Sequence, residues 1–308
     1  MSLNSQNAME HKLVFALSGG GSRGSLQVGA LYALLEYGLE PDLLIGASIG
    51  AVNAAFLALN GFTSAGLDQL TEAWRAASEA DLMSANYIWL AVRALFKRSS
   101  NDPSTRLRDF FIQRGLTPEL TFADVTHPSL VLVSADLNAG KPILYGTNPA
   151  DKILNALMLS TRLPPWFMPV VEQDRYLVDG AIVSNLPIEP ALTLGATQIV
   201  ALDLIDSREL SEEGDGVRGF LNRLVYSVER RQLQLELELA EARGVPVLYI
   251  GLGVEASVPI WDFSQTNDLI VRGYDTACHV IESQHDSNSI LSKQPLHEKR
   301  TIFRRLFG

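Results

Sequence analysis

The chain has 308 residues, 47% hydrophobic and 19% charged, which is ample for a large buried core and somewhat long for one simple core. Its 25 basic and 35 acidic residues leave a formal net charge of −10, which argues against a nucleic-acid partner and against broad attraction to anionic membranes. The single cysteine, Cys278, excludes an internal disulfide, and no paired Cys/His spacing points to zinc, so no metal is expected.

In chain order, Met1–Ala8 is polar and lacks the apolar stretch of a secretory signal; residues 1–11 read as a disordered or vector-derived leader, with Met9 as a candidate native start. Leu13–Leu17 predicts a buried strand, followed by a glycine cluster and a helix over Ser25–Tyr37. Leu43–Ala47 predicts a second strand and Ile49–Leu59 a helix. Helices are then expected near Leu67–Ala77 and Thr105–Arg114, strands at Leu130–Ala135 and Ile143–Tyr145, and a helix at Asp151–Leu159. A strand at Tyr176–Val178, a helix at Ile188–Leu194 and a strand at Gln198–Leu204 follow. A helix at Gly219–Ala242, a strand at Pro246–Gly251 and a helix at Asp268–Glu282 complete the pattern. This alternation predicts a three-layer α/β/α sandwich with a mostly parallel central sheet, whose sites lie at the carboxyl ends of the strands. The expected catalytic domain covers residues 12–285, with 286–308 as a tail.

Three segments read as surface features. Ser207–Gly219, rich in acidic residues and glycine, predicts a loop or lid. Tyr87–Arg98 is aromatic and apolar with basic residues near its end, a pattern that fits either a lipid surface or a core-packed helix. Lys299–Phe307 offers a second basic and apolar stretch, for a membrane, a partner or a frayed tail. No stretch reaches the ~18 apolar residues of a transmembrane helix. The expected location is the cytoplasm, with peripheral membrane contact left open. The sequence does not indicate an oligomeric state.

Chemistry enters at three motifs. Gly46-Ala47-Ser48-Ile49-Gly50 is a G-x-S-x-G turn between strand and helix, which lifts a hydroxyl clear of a sheet beside a backbone N–H. Gly19-Gly20-Gly21-Ser22-Arg23-Gly24 also joins a strand to a helix and exposes backbone N–H groups near a positive helix end, suited to a phosphate or an oxyanion. It fits G-x-G-x-x-G, so a nucleotide reading stays open, although Ala47-Ser48 stands where an acidic ribose partner is needed and no Gly-Lys-Ser/Thr follows. Asp179-Gly180, between apolar stretches, taken alone predicts a hairpin turn.

Taken together, from about Lys12 to about Leu204 and including Ser160–Phe167, these segments resemble the patatin-like phospholipase family. The resemblance implies a patatin-like fold and a serine acyl hydrolase acting on a lipid acyl ester, a phospholipid or lysophospholipid, through an acyl-serine intermediate, with no cofactor and no calcium. Ser48 is then the nucleophile and Asp179 its base. The N–H groups of Gly19, Gly20 and Gly21 form the oxyanion hole, and Arg23 fixes that loop. Ser18 departs from the acidic residue that some members carry before the glycines, and Ala181 from a second glycine after the aspartate; both bear on loop geometry.

A serine hydroxyl needs a neighbouring base near pH 7, and an aspartate with a solution pKa of ~3.9 becomes a better one when burial raises that value. Ile49, Trp166 and Phe167 are candidate substrate-binding residues. Two alternatives remain: a Ser-His-Asp esterase using His279 or His285, although both fall in or just after a predicted helix, and a lipid- or acyl-binding regulator with little turnover.

Overall fold

The computed structural model describes residues 11–79, 103–164, 166–205, 217–254, 258–285 and 287–291. Its strands are β1 (Leu13–Leu17), β2 (Leu43–Ala47), β3 (Ser129–Asp136), β4 (Lys141–Tyr145), β5 (Val170–Glu172), β6 (Arg175–Asp179), β7 (Gln198–Leu204) and β8 (Val247–Leu252). Its α-helices are α1 (Gly24–Glu36), α2 (Ile49–Asn60), α3 (Ser64–Glu79), α4 (Pro103–Gln113), α5 (Ile153–Ser160), α6 (Ile188–Thr193), α7 (Val217–Ala242) and α8 (Thr266–Gln284). The strands form one mixed sheet, with β3, β2, β1, β7 and β8 parallel in that order.

The central strands are apolar on both faces because helices cover both. Phe15 and Leu17 of β1 join a core with Leu31 of α1, Ala54 of α2, Leu70 of α3 and Ile270 of α8. Val14 and Ala16, one residue out of phase, join a second core with Ile188 and Ala191 of α6 and Ala240 of α7. This division of alternate residues between two cores produces the three α/β/α layers that the sequence predicts. Helices α1 and α8 cross so closely that a Cβ on Gly29 would overlap the Ile270 carbonyl, and one on Gly273 would overlap the Leu26 carbonyl.

The pairing around β3 positions the site. One edge of β3 holds β4 antiparallel over Leu132–Asp136. The other edge holds β2 parallel as far as Ala47↔Val133, and then β6 antiparallel from Ser134↔Asp179 onwards. Strands β2 and β6 therefore run head to head along one edge, and their carboxyl ends abut.

Several expectations change. Asp179-Gly180 is not a hairpin turn: Asp179 ends β6 and a 3-10 turn, Gly180–Ile182, follows. The hairpin lies upstream, where β5 and β6 join through Gln173 and Asp174, both at positive φ. Strand β5 itself is absent from the sequence reading, since its three residues show no usable period. The acidic loop expected to end at Gly219 gives way to α7 at Val217, and its residues 207–216 lie outside those described. Tyr87–Arg98 and Lys299–Phe307 also lie outside the described residues. His11 Nε2 lies 2.8 Å from Gln198 Oε1, and Ile290 and Leu291, beyond α8, are buried in the first core. Among the described residues, no helix is long and apolar enough to cross a membrane.

Candidate active site

Ser48 stands between β2 and α2 with φ 54° and ψ −123°. A non-glycine residue there carries strain of about 1–3 kcal/mol, which the flanking structure must hold in place. Gly50 permits the turn, because a Cβ at that position would overlap the Leu17 carbonyl at the end of β1. Ser160, fully buried at the end of α5, completes the support: its Oγ accepts the Ser48 N–H at 3.1 Å and donates to the Val133 carbonyl at 2.6 Å.

Asp179 closes the other side. Its Oδ2 accepts the Ser48 Oγ–H at 2.7 Å and its Oδ1 accepts the Ala181 N–H at 2.9 Å. Its own N–H donates to the Arg162 carbonyl at 3.1 Å. The side chain is fully buried. Burial penalises the charged form and pushes its pKa up to about 7, against the smaller opposing pull of the hydrogen bonds from Ser48 and Ala181.

The glycine loop lies against Ser48 and against Ala181, the residue that follows the Asp179-Gly180 pair. A Cβ on Gly19 would sit 3.0 Å from the Ser48 Cβ and 2.9 Å from that of Ala181. The Gly19 N–H, expected to face an oxyanion, is committed elsewhere: it donates to Asn185 Oδ1 at 3.0 Å and to the Asn185 carbonyl at 3.2 Å. Among the described residues, no hydrogen bond engages the N–H of Gly20 or Gly21. Arg23 is almost wholly buried and its Nε donates to the Gly20 carbonyl at 3.2 Å. Its charge also faces Asp203, whose pKa burial raises and Arg23 lowers.

The candidate substrate residues divide. Trp166 and Phe167 are buried in a satellite cluster with Leu107, Leu163, Ile260 and Trp261. The Ile260 carbonyl accepts the Ser22 N–H at 2.8 Å, so this cluster adjoins the glycine loop. Ile49 is half-buried beside Ser48. His279 is exposed on α8, and the 2.7 Å bond between Ser48 and Asp179 leaves no room for a histidine between them.

Sequence reasoning passed over Asn185, which faces Gly19, and it took Ser160 only as part of a family segment. It also passed over Gln27 and Asn53, two amides inside the apolar runs of α1 and α2, where a polar residue was itself a signal.

The model of a family described as patatin-like phospholipase matches residues 15–192. A patatin-like phospholipase domain-containing protein of Caenorhabditis elegans, ZK370.4, is 29% identical over 66% of this chain and 14% of its own length. Lysophospholipase NTE1 of Cryptococcus neoformans is 28% identical over 71% of this chain and 13% of its own. The chain thus spans about a seventh of the length of these relatives. Among solved structures, VipD from Legionella pneumophila aligns over 89% of this chain and 67% of its own, at 18% identity and a TM-score of 0.47.

Proposed function

The chain belongs to the patatin-like phospholipase family, and on that premise we propose that it is a serine lipid acyl hydrolase working with a Ser48–Asp179 dyad. The observation that carries this reading is the 2.7 Å hydrogen bond from a strained serine to a buried aspartate. Ser48 Oγ attacks the ester carbonyl while its proton passes to Asp179 Oδ2. Negative charge gathers on the former carbonyl oxygen, where the N–H groups of Gly20 and Gly21 receive it; each well-placed donor of this kind contributes about 3–4 kcal/mol to lowering the barrier. The C–O bond breaks, the leaving alcohol takes the proton from Asp179, and an acyl-Ser48 ester remains. Water then attacks the ester, gives its proton to Asp179, and releases the fatty acid and the restored hydroxyl. Gly19, bonded to Asn185, holds the loop rather than donating to the oxyanion.

The substrate in this reading is an acyl ester of a phospholipid or lysophospholipid. The relatives' names support the lipid class, and the Trp166, Phe167, Ile260 and Trp261 cluster beside the loop offers an apolar wall for an acyl chain. Contact with a membrane would be peripheral.

Purified protein should incorporate a fluorophosphonate at Ser48 and hydrolyse lysophospholipid micelles or phospholipid vesicles, and Ser48→Ala should lose both activities while keeping its fold. Undiminished hydrolysis by folded Ser48→Ala would overturn the assignment. Collapse of activity in a folded His279→Ala/His285→Ala variant would favour a triad instead.

A further inference from the structure

A chain of side-chain hydrogen bonds beneath the glycine loop can run in only one direction. Trp74 Nε1–H, from α3, donates to Asn53 Oδ1 at 2.9 Å. An indole N–H can only donate, so Asn53 must turn its oxygen towards Trp74 and its amide nitrogen away. That nitrogen donates to Gln27 Oε1 and to the Gly24 carbonyl, each at 3.0 Å. Gln27 must in turn point its own nitrogen outward, where it donates to the Ser18 carbonyl at 2.9 Å and to the Leu202 carbonyl at 3.3 Å. Gln27 and Asn53 are fully buried and Trp74 nearly so. Burying two amides costs more than burying two leucines unless every polar atom finds a partner, and here the partners are found.

The end of this chain grips one peptide plane. In a trans peptide the C=O and the following N–H point in opposite directions. Gln27 holds the Ser18 carbonyl and Asn185 holds the Gly19 N–H, so the Ser18–Gly19 plane is fixed at both ends. Arg23 Nε fixes the next plane but one through the Gly20 carbonyl, which sends the Gly21 N–H the opposite way. The intervening plane, which carries the Gly20 N–H, is set by its two neighbours.

We propose that Gln27, oriented by Asn53 and Trp74, is a positioning residue that aims the oxyanion donors of Gly20 and Gly21 by holding the Ser18 carbonyl. This inference rests on the reading of Ser48 as nucleophile and of the loop as oxyanion hole. Trp74 enters this chain through its indole N–H, which sets the polarity of the two amides, while its ring packs against Gly24 and Phe263.

The test uses Gln27→Met, which preserves length but cannot donate, and Trp74→Phe, which removes the indole donor together with part of the ring packed against Gly24 and Phe263. Rates are expressed per active site titrated with a fluorophosphonate, so that loss of folded protein does not count. Gln27→Met should lower kcat about 10-fold or more, as misaiming a catalytic donor does, with KM within about 2-fold. Affinity for a trifluoromethyl ketone, whose adduct carries an oxyanion, should fall in parallel, while affinity for a non-reactive ether analogue of the substrate should hold. Trp74→Phe should lose about 3-fold, and the double variant should be no worse than Gln27→Met alone, because Trp74 acts through Gln27. Unchanged kcat per titrated site in Gln27→Met, or losses that multiply in the double variant, would overturn the proposal. Full activity in Ser48→Ala would instead overturn the underlying reading, so the two failures are distinguishable.

Discussion

Asp179 holds its proton unusually tightly because water cannot reach it, and this sets the pH behaviour expected at the level of single residues. As a base it must be ionised, so kcat/KM should rise as pH passes through about 7. Stability should run the other way. The folded state keeps the proton up to about 7, whereas the unfolded chain releases it near the ordinary value of 3.8. The stabilising contribution is complete below that lower value and is lost as pH rises through the folded one. Asp179→Asn, which has no charge to bury, should be inactive, and its melting temperature should gain on the native protein between pH 4 and 7 and level above that. By pH 8 the advantage should be on the order of 5 °C in differential scanning fluorimetry. An advantage independent of pH would contradict a raised native pKa. Ser48 stood out in its G-x-S-x-G turn, whereas Asp179-Gly180 alone read as a hairpin and was paired with Ser48 only through the family resemblance. The Asn185 bond to Gly19 was not legible, because no local pattern links residues so far apart in the chain.

At the level of elements, the site exists because β2 and β6 share one edge of β3 and meet end to end. Almost every long element was readable from its apolar period, with limits that shift by a few residues. The exceptions were short or turned on backbone conformation: β5 is three residues long, and its hairpin uses Gln173, not a residue that advertises positive φ. The segment after Asp179 is anchored in turn by α7. Gln232 Nε2 donates to the Val183 carbonyl, and Glu236 Oε2 accepts the N–H groups of Ile188 and Glu189, each at 2.9 Å, at the start of α6. Burial pushes Glu236 up to about 7, with its backbone hydrogen bonds opposing the shift. Glu236→Ala would leave two N–H groups at the helix start unmatched and should cost about 1–3 kcal/mol in urea unfolding. A variant as stable as the native protein would show that α7 does not anchor this segment.

For the whole molecule, Ile290 and Leu291, beyond α8, are buried in the first core. A protein ending at residue 285 should melt well below one ending at residue 291, since each lost side chain removes about 1.5–3 kcal/mol of apolar burial. Equal melting temperatures would show that Ile290 and Leu291 add nothing to the core. The dyad mechanism also routes no step through a metal, so activity on lysophospholipid should survive a chelator; loss restored by added calcium would contradict it.

The order of the longer strands and helices, the two-faced burial of the central strands and the elbow at Ser48 were written in the sequence, because local periodicity and glycine placement leave few other structures open to those segments, whereas Asp179 was matched to Ser48 only through the family resemblance. Tertiary structure alone decided which oxygen faces which hydroxyl, that Gly19 spends its N–H on Asn185, and that two amides and an indole align beneath the loop. Those contacts join residues distant along the chain, and hydrogen-bond polarity becomes fixed only when packing has excluded water and left each donor a single acceptor.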